Sequence, residues 1–401
     1  MRIALVSLHT SPGATPGSGD AGGMNVVVAQ AAAALAARGH EVLAITRATP
    51  DLPAGDYPLD SGMHSARLVA LGDGAALRKQ DLPAAVPAFA AELLALGPFD
   101  GVHAHYWLSG LAALPAAGAS GVIPAFTPHT VAAQKNANLA AGDRPEPDLR
   151  LAAERALLRR SHLVTGSSSE LAALREGIGD PMLGADIIHP GVDTARFRPR
   201  DVSRETSPVR QLRIVVLGRV QPLKGQDLAV QAVGALAQLD PKLWQRCELV
   251  IAGEPTPGAE RYAGDLRATA QQLGVADRVR FLPAQDRDAA AALLSSADVV
   301  LVPSHSETYG LVALETAASG VPCVVGGHTG LMEAAPAGIS AVHVADRDPA
   351  AWANAIAGLL RDPDRRESLG TSARAFALQH NWDAHAAALE RVYGSLALSP
   401  E

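Results

Sequence analysis

The chain has 401 residues, of which 48% are hydrophobic and 19% are charged, and its formal net charge is -7. This composition excludes an intrinsically disordered chain, and the net charge without a Lys/Arg run argues against a nucleic-acid-binding surface. The length predicts two or three domains rather than a single core. No apolar run reaches the length of a membrane span and no signal-peptide pattern opens the sequence, so we expect a cytoplasmic protein without a membrane partner.

The first half alternates continuous apolar runs with helical stretches. Strands are predicted at 2–8, 41–46, 67–71, 101–106, 123–128, 162–166 and 187–188, and helices at 25–38, 82–96, 108–117 and from 148 onward. Continuous apolar strands separated by helices are typical of a parallel, doubly wound sheet. In such sheets ligands bind beyond the carboxyl ends of the strands.

Three polar clusters follow strands of this predicted sheet, at residues 9–10, 103–107 and 127–130. His103 and His105 share one face of a strand and suggest a metal site, but no third residue has metal-ligand spacing, so we expect none. The glycine-rich stretch 9–25 is neither a dinucleotide fingerprint nor a P-loop, and an Ω-loop remains an alternative. Arg150, in the first turn of a helix, is a candidate anion ligand or a surface ion pair.

A second β-α alternation begins after the polar segment 200–210, which contains Pro208 and is the predicted domain boundary. Strands are predicted at 212–217, 248–252, 279–282, 299–302 and 322–325, and helices from 226 and at 310–320, 349–360, 363–381 and 382–398. We therefore expect domains at 1–199 and 200–381, followed by a C-terminal helix at 382–401. Cys247 and Cys323 each lie in a predicted buried strand, which argues against a disulfide.

Charged residues follow two strands of the second half. Arg219 and Lys224 precede a predicted helix N-terminus, a combination that favours an anion, although two lone surface cations are the alternative. Glu307 and Glu315 are eight residues apart, so both can face one groove beside the helix that Gly310 opens. A carboxylate accepts two hydrogen bonds from a vicinal diol, which suits a ribose or a sugar, whereas two solvated glutamates are the alternative.

The two doubly wound halves, the Arg219 and Lys224 pair and the Glu307 and Glu315 spacing resemble retaining nucleotide-sugar glycosyltransferases of the GT-B fold. That resemblance implies an α/β protein with two Rossmann-like domains facing across a cleft, and a C-terminal helix that crosses back onto the N-terminal domain. The first half also resembles the D-inositol-3-phosphate glycosyltransferases, which move GlcNAc from UDP-GlcNAc to an inositol phosphate in mycothiol biosynthesis. The stretches that carry it are H-T-S-P…P-G-S-G-D-A-G-G-M-N at 9–25, K-Q-D-L-P at 79–83, H-Y-W-L-S-G at 105–110, H-T-V-A-A-Q-K-N-A-N-L-A at 129–140, P-E-P-D-L-R at 145–150 and H-P-G-V-D at 189–193.

The resemblance implies a role for each matching residue. Arg219 and Lys224 would bind the donor diphosphate, Glu315 the ribose and Glu307 the transferred sugar. His129 would either hydrogen-bond that sugar or only brace the crevice. The full donor set is His9, Gly22, Gly23, Arg219, Lys224, Glu307, Tyr309, Gly310, Leu311 and Glu315. The acceptor set is Asn25, Lys79, Tyr106, Thr130 and Arg150, of which the last four would hold the acceptor phosphate.

Departures from the family pattern fall on the donor side. Residues 326–333 read G-G-H-T-G-L-M-E where G-G-L-P is usual, and His305 and Tyr309 replace commoner residues. These departures leave open a specialised-metabolite enzyme similar to the lincosamide S-glycosyltransferases, with a GDP-sugar and a thiol acceptor. Two further alternatives stay open independently of them: a sugar-nucleotide epimerase and a non-catalytic sugar-phosphate binding protein. No cofactor is expected for catalysis, while a structural Mg ion and a homodimer stay open.

Overall fold

The computed structural model describes residues 1–17, 21–59, 66–137, 145–200 and 211–398. The chain divides into two units. Unit 1 comprises Met1–Ala14, Gly23–Gly191 and Trp382–Glu401, and unit 2 comprises Thr15–Gly22 and Val192–Asn381. Residues 201–210 of the predicted linker, including Pro208, lie outside the described residues.

Strands and helices alternate through the first half. In chain order the elements are β1 (Arg2–Ser7), α1 (Gly23–Ala37), β2 (Glu41–Arg47), β3 (Gly55–Pro58), β4 (Arg67–Leu71), α2 (Val86–Leu96), β5 (Gly101–His105), α3 (Trp107–Ala119), β6 (Ala125–Thr127), α4 (Ala132–Ala137), α5 (Asp148–Arg160), β7 (His162–Thr165), α6 (Ser168–Gly177) and β8 (Ala185–Ile187). These strands form one sheet in the order β3-β4-β2-β1-β5-β6-β7-β8, in which only β3 runs antiparallel to its neighbour.

The second half repeats the alternation. Its elements are β9 (Leu212–Leu217), α7 (Gln226–Leu239), α8 (Pro241–Trp244), β10 (Cys247–Ala252), α9 (Glu260–Gln272), β11 (Val279–Leu282), α10 (Arg287–Ser295), β12 (Val299–Val302), α11 (Leu311–Ala318), β13 (Cys323–Gly326), α12 (Leu331–Ala334), β14 (Ala341–Val344), α13 (Pro349–Leu360), α14 (Pro363–Leu378) and α15 (Trp382–Ser395). The strands form a fully parallel sheet in the order β11-β10-β9-β12-β13-β14.

Each sheet is buried on both faces, which explains why its central strands carry apolar side chains toward both faces. Along β1, Ala4 and Val6 belong to one hydrophobic cluster, whereas Ile3 and Leu5 belong to another. Along β9, Ile214 and Val216 pack on one side and Val215 on the other. Since successive side chains of a strand point to opposite faces, a strand covered by helices on both sides is mostly apolar. The histidines of β5, His103 and His105, are polar exceptions that make hydrogen bonds in the interior. The predicted doubly wound parallel sheets are confirmed.

The helix α15 is part of unit 1, although it follows unit 2 in sequence. It packs against α1, and its residues Ala386, Leu389, Val392 and Tyr393 are buried there together with residues of α1 and β1. The chain therefore completes the first unit only after it has built the second.

Several elements escaped prediction, and for one of them, β3, the reason is the lack of an apolar period. The edge strand β3 reads G-D-Y-P and is largely exposed, so it carries no alternation to recognise. The strand β14 and the helices α4, α6, α8, α9, α10 and α12 were also not predicted. Both cysteines are buried and unpaired, as expected. Within the described ranges no helix combines the length and apolar character needed to cross a bilayer.

Candidate functional site

The predicted polar clusters of unit 1 lie side by side at the carboxyl edge of its sheet. They follow β1, β5 and β6, which are neighbours in the strand order. The His9 ring lies over the Tyr106 ring with centroids 4.2 Å apart, and His105 Nδ1 is 2.9 Å from His129 Nε2. Residues that are about 100 positions apart in sequence are therefore brought together, as the strand-end rule predicted.

Arg150 is the centre of this edge, and it is buried rather than part of a surface ion pair. Its Nη1 donates to the Tyr106 hydroxyl at 3.1 Å, and its Nη2 donates to the Thr130 carbonyl and hydroxyl oxygens at 2.7 and 2.8 Å. Nε donates to Glu154 at 2.7 Å, and Nη1 also lies 3.1 Å from Glu146. All five N–H donors of the guanidinium thus have acceptors. Arg150 holds Tyr106 and Thr130 in place.

The ion pair between Arg150 and Glu154 is buried, so a mutation of Arg150 affects more than ligand binding. The side chains of Arg150 and Glu154 are 2% and 1% exposed. Removing one partner of a buried pair leaves an uncompensated charge and costs about 3–5 kcal/mol. An alanine at position 150 would therefore change folding as well as any acceptor binding.

The histidines of this edge contact one another through a hydrogen bond, between His105 and His129, and through ring stacking. His103 Nδ1 is 2.8 Å from the Tyr393 hydroxyl of α15, and its Nε2 is 2.8 Å from Thr127 Oγ1. The His105 ring stacks on the His103 ring at 4.2 Å. Burial holds the pKa of His103 and of His105 well below the usual range and also lowers that of His129. All three rings are therefore neutral at physiological pH, and neutral imidazoles donate and accept one hydrogen bond each.

Backbone strain marks the same edge. Tyr106 and His129 have φ values of 76° and 59°, in the left-handed region that bulky residues rarely adopt. Such strained positions tend to lie in binding and catalytic sites. Both residues were predicted site residues.

The other predicted residues of unit 1 lie around this edge in different settings. Asn25 is buried in α1 and its Nδ2 donates to the Ser11 carbonyl at 2.7 Å. Gly23 is exposed where α1 begins, and Lys79 is exposed at the start of a 3-10 helix, Lys79–Ala85. The predicted acceptor residue Asn25 thus holds the segment around Ser11, and Lys79 is an exposed cation.

In unit 2 the turns that follow β9 and β12 pack against each other. The two strands are neighbours, and the His305 N–H donates to the Leu223 carbonyl at 2.8 Å. Gly225 has φ 68°, and a Cβ at this position would lie 2.1 Å from the Pro303 carbonyl oxygen. Only glycine allows this approach, and it brings the predicted cation and carboxylate together.

Lys224 and Glu307 form a direct ion pair at this contact. Lys224 Nζ lies 2.7 Å from Glu307 Oε1, which also accepts a hydrogen bond from Ser304 Oγ at 2.7 Å. The side chains are 25% and 16% exposed, so a ligand can reach both. Immediately after the turn, Gly310 with φ 117° caps the eight-residue helix α11, whose N-terminal N–H groups favour an anion.

Glu315 has a different environment from Glu307. It lies in α11 with its side chain 6% exposed, and its Oε1 accepts a hydrogen bond from Arg287 Nη1 at 2.5 Å. Burial raises the pKa of Glu315, and the Arg287 guanidinium opposes that shift. Arg287 in turn lies over the Phe197 ring, 4.7 Å from its centroid. The two predicted glutamates are therefore held by different cations.

Other predicted donor residues of unit 2 lie in or next to the same turns. A Cβ built on Gly22 would lie 3.4 Å from the Arg219 guanidinium, so these two predicted residues are adjacent within unit 2. Tyr309 is buried, and Leu311 is the first residue of α11. Gln226 Nε2 donates to the Arg219 carbonyl at 2.9 Å, which secures the turn that carries both cations.

Sequence reasoning missed Arg287, Ser304 and the segment 328–330. Arg287 follows the end of β11, where a cation next to a predicted ligand edge was a usable signal. The segment 328–330 contacts the turn after β12: the Glu307 N–H donates to Thr329 Oγ1 at 3.2 Å, and His328 Nε2 lies 3.0 Å from the His305 carbonyl. No spacing rule predicts such contacts between loops. Over the described part of the chain, no group of three or more His, Cys, Asp or Glu residues is placed to hold a metal ion.

Family models match both halves of the chain. The model described as Glycosyltransferase Family 4 matches residues 21–196, and that described as Glycosyl transferases group 1 matches residues 197–376. The D-inositol 3-phosphate glycosyltransferase of Salinispora arenicola is 39% identical over 98% of this chain and 91% of that protein. The protein of the same name from Acidothermus cellulolyticus is 41% identical over 95% of this chain and 87% of its own length.

Solved structures show the same architecture. Sucrose-phosphate synthase from Thermosynechococcus elongatus superposes with a TM-score of 0.86 at 28% identity, covering 98% of both chains. Anabaena HepE in complex with UDP and glucose superposes with a TM-score of 0.75 at 18% identity, covering 99% of this chain and 100% of its own. The predicted GT-B fold with two Rossmann-like domains is thereby confirmed.

Proposed function

This chain belongs to the glycosyltransferase family that contains the D-inositol 3-phosphate glycosyltransferases, and from that membership we propose that it transfers GlcNAc from UDP-GlcNAc to 1D-myo-inositol 3-phosphate with retention of configuration. Transfer of a sugar from a nucleotide sugar is the activity of the family. The nucleotide, the sugar, the acceptor and the stereochemistry are the parts proposed here. Relatives named for the inositol phosphate reaction cover nearly the whole chain, which supports this choice over other donors and acceptors.

The observation that carries the proposal is the Lys224–Glu307 pair beside the N-terminus of α11. A nucleotide sugar carries a diphosphate next to a polyhydroxylated ring, so its binding site needs a cation and a hydrogen-bond acceptor side by side. Lys224 and Arg219 would take the diphosphate, and Glu307 would accept hydrogen bonds from sugar hydroxyls. Glu315, held by Arg287, would accept from the ribose hydroxyls.

The acceptor would bind to unit 1 at the edge built on Arg150. Thr130 is exposed and its hydroxyl oxygen accepts a hydrogen bond from Arg150, so the hydroxyl hydrogen can be donated to a bound anion. The exposed Lys79 would supply a second cation. This arrangement suits a small phosphorylated acceptor better than a neutral one.

In the proposed reaction the bond between the anomeric carbon and the donor phosphate oxygen breaks while the acceptor hydroxyl oxygen bonds to that carbon. Negative charge grows on the departing diphosphate, and Lys224, Arg219 and the N-terminus of α11 stabilise it in place of a catalytic metal. The hydroxyl proton passes to the departing phosphate oxygen on the same face of the sugar, which gives retention. No carboxylate nucleophile is needed, unlike in a retaining glycosidase.

The test is a transfer assay with Lys224→Ala and a matched control. Lys242→Ala removes the same side chain from an exposed position in α8. We expect Lys224→Ala to lose about 10²–10³ in kcat, as when one preorganised charge-stabilising donor is removed. Lys242→Ala should remain within twofold of the wild type, and both variants should unfold at the wild-type temperature.

The donor and acceptor are tested by mass spectrometry of product from UDP-GlcNAc with inositol 3-phosphate, and by NMR of the new anomeric proton. A product with β configuration would contradict retention. Turnover of a GDP-sugar with a thiol, and none of UDP-GlcNAc, would replace the proposed substrates with those of a lincosamide-type S-glycosyltransferase. Wild-type activity of Lys224→Ala would contradict the donor site itself.

A further inference from the structure

Thr329 stands in a backbone conformation that its side chain disfavours. Its φ is 57°, in the left-handed region, where a Cβ and above all a β-branched side chain is crowded. Glycines at 326, 327 and 330 surround it, so a fourth glycine would fit the local sequence and remove the strain. Strain that persists at one position points to a contact that requires this side chain.

The contact is with the backbone of Glu307. The Glu307 N–H donates to Thr329 Oγ1 at 3.2 Å, and the next N–H of the same turn, that of Gly330, donates to the Glu307 carbonyl oxygen at 3.1 Å. Both polar groups of the Glu307 peptide backbone are therefore held by residues 329 and 330. A methyl group on Gly330 would lie 2.2 Å from the Thr308 carbonyl oxygen, so the two segments lie in close contact.

Thr329 holds the backbone of Glu307, the residue proposed to contact the sugar. Glu307 Oε1 accepts hydrogen bonds from Lys224 and Ser304. These contacts set the direction of the carboxylate, and they persist only while the backbone of Glu307 stays in place. Rotation of the Glu307 peptide would move the carboxylate away from Lys224. The third residue of the segment, His328, contacts the Ser304 and His305 carbonyl oxygens at 3.2 and 3.0 Å and holds the preceding part of the same turn.

We propose that Thr329 is a positioning residue for Glu307, whose hydroxyl fixes the turn that presents the carboxylate to the donor sugar, and that the protein retains it at the expense of backbone strain. This inference rests on the proposed donor site and adds to it a residue outside the predicted site. It also gives a role to the segment 326–333, whose sequence departs from the family pattern.

Three substitutions of Thr329 separate the effect of its hydroxyl group from the effect of its backbone strain. Thr329→Ser keeps the hydroxyl, Thr329→Ala removes it and keeps the left-handed Cβ, and Thr329→Gly removes both. We expect Thr329→Ala and Thr329→Gly to lose about tenfold in kcat/KM for the nucleotide sugar, the effect of one lost hydrogen bond, while Thr329→Ser stays within twofold of the wild type. Thr329→Gly should melt about 2–4 °C above Thr329→Ala, because glycine adopts this φ without strain.

Binding of UDP and of UDP-GlcNAc, measured by calorimetry on the full chain, distinguishes positioning from a general structural role. UDP lacks the sugar that Glu307 would contact, so its affinity should be equal in all four proteins, whereas the affinity for UDP-GlcNAc should fall in the two variants without a hydroxyl. Equal loss for both ligands, a Thr329→Ser variant as weak as Thr329→Ala, or a fully active Thr329→Gly would overturn the inference. A wild-type protein that binds neither ligand would instead contradict the proposed donor site.

Discussion

Among single residues, Glu170 is the buried acid with the clearest consequence for stability. It lies in the first turn of α6, where its Oε2 accepts from the Gly166 N–H at 2.8 Å and its own N–H donates to Ser167 Oγ at 3.2 Å. Within the described residues its Oε1 is buried and has no hydrogen-bond partner. Burial raises the pKa of Glu170 from the ordinary 4.5 to about 8. The folded protein therefore holds this proton at neutral pH.

The raised pKa predicts that this residue makes folding less favourable as pH rises from about 5 to about 8. In that window the unfolded chain has released the proton and the folded chain still binds it, so the free energy of unfolding falls with pH. Glu170→Gln is neutral at every pH and should abolish this contribution. We expect its free energy of unfolding, relative to the wild type, to rise by a few kcal/mol between pH 5 and pH 8 in urea titrations.

Glu176→Gln is the matched control, because it changes the same residue type on the same helix at an exposed position. Its stability relative to the wild type should not change with pH over this range. Parallel pH profiles for the wild type and Glu170→Gln would show that Glu170 is ionised in the folded protein.

The proximity of two residues was predictable from sequence where both residues follow the ends of strands in one sheet. Lys224 and Glu307 were each assigned to the end of a strand, and the sheet order places those ends together. The burial of Arg150 was not predictable, because its acceptors come from segments around 106, 130, 146 and 154 that meet only in the fold. The strain at Thr329 is likewise invisible in sequence, since φ depends on the loop that it contacts.

At the scale of elements, the turn between β9 and α7 determines whether Lys224 and Glu307, the proposed donor residues, meet. Gly225 has φ 68°, and an alanine Cβ there would overlap the Pro303 carbonyl oxygen at 2.1 Å and approach Arg347 Nη2 at 3.0 Å. We expect Gly225→Ala to lower the free energy of unfolding by about 2–5 kcal/mol, from left-handed strain and overpacking together. It should also weaken UDP binding, because the turn that carries Lys224 must shift.

The control for this turn is Gly264→Ala, which lies inside α9 with no atom near the added methyl group. That variant should be neutral or more stable by up to about 1 kcal/mol, since alanine is the better helix former. Chemical unfolding and UDP titration of both variants provide the measurement. Wild-type behaviour of Gly225→Ala would mean that the two turns do not need this close approach.

Most elements were predicted because the period of their apolar residues and the positions of the flanking glycines and prolines indicate the same bounds. Strands β4, β9, β11 and β12 and the helix α13 have the predicted bounds. The helix predicted at 310–320 is shorter, Leu311–Ala318, because Gly310 and Gly320 both adopt positive φ outside it. Elements without an apolar period, such as β3, depend on a neighbouring strand for their conformation, and only the fold reveals that neighbour.

At the scale of the whole molecule, the chain completes its first unit last. The cluster that contains Ile3, Val28 and Leu35 also contains Leu389 and Tyr393 of α15, so residues 1–191 alone leave that cluster open to water. The two clusters of unit 2 lie entirely between Val192 and Ala377. The sequence predicted a domain boundary after residue 199, whereas the long segment of unit 2 begins at Val192.

We therefore predict that a fragment of residues 192–381 unfolds cooperatively, whereas a fragment of residues 1–191 does not. Co-expression of residues 382–398 should restore cooperative unfolding to the latter, because it returns the apolar face of α15. Circular dichroism during heating measures both. A cooperative transition for residues 1–191 alone would show that α15 is dispensable for the core of unit 1.

The short segment Thr15–Gly22 belongs to unit 2 although both of its flanks belong to unit 1. A Cβ on Gly17 would lie 3.5 Å from Ala284, and one on Gly22 would lie 3.4 Å from the Arg219 guanidinium. The segment next to Arg219, the proposed diphosphate ligand, is therefore encoded far upstream of the rest of its unit. Recombination between relatives that exchanges residues 192–381 as a single block would separate that block from residues 15–22 of the same unit. A chimaera intended to inherit the proposed donor site of one parent must therefore also carry residues 15–22 from that parent.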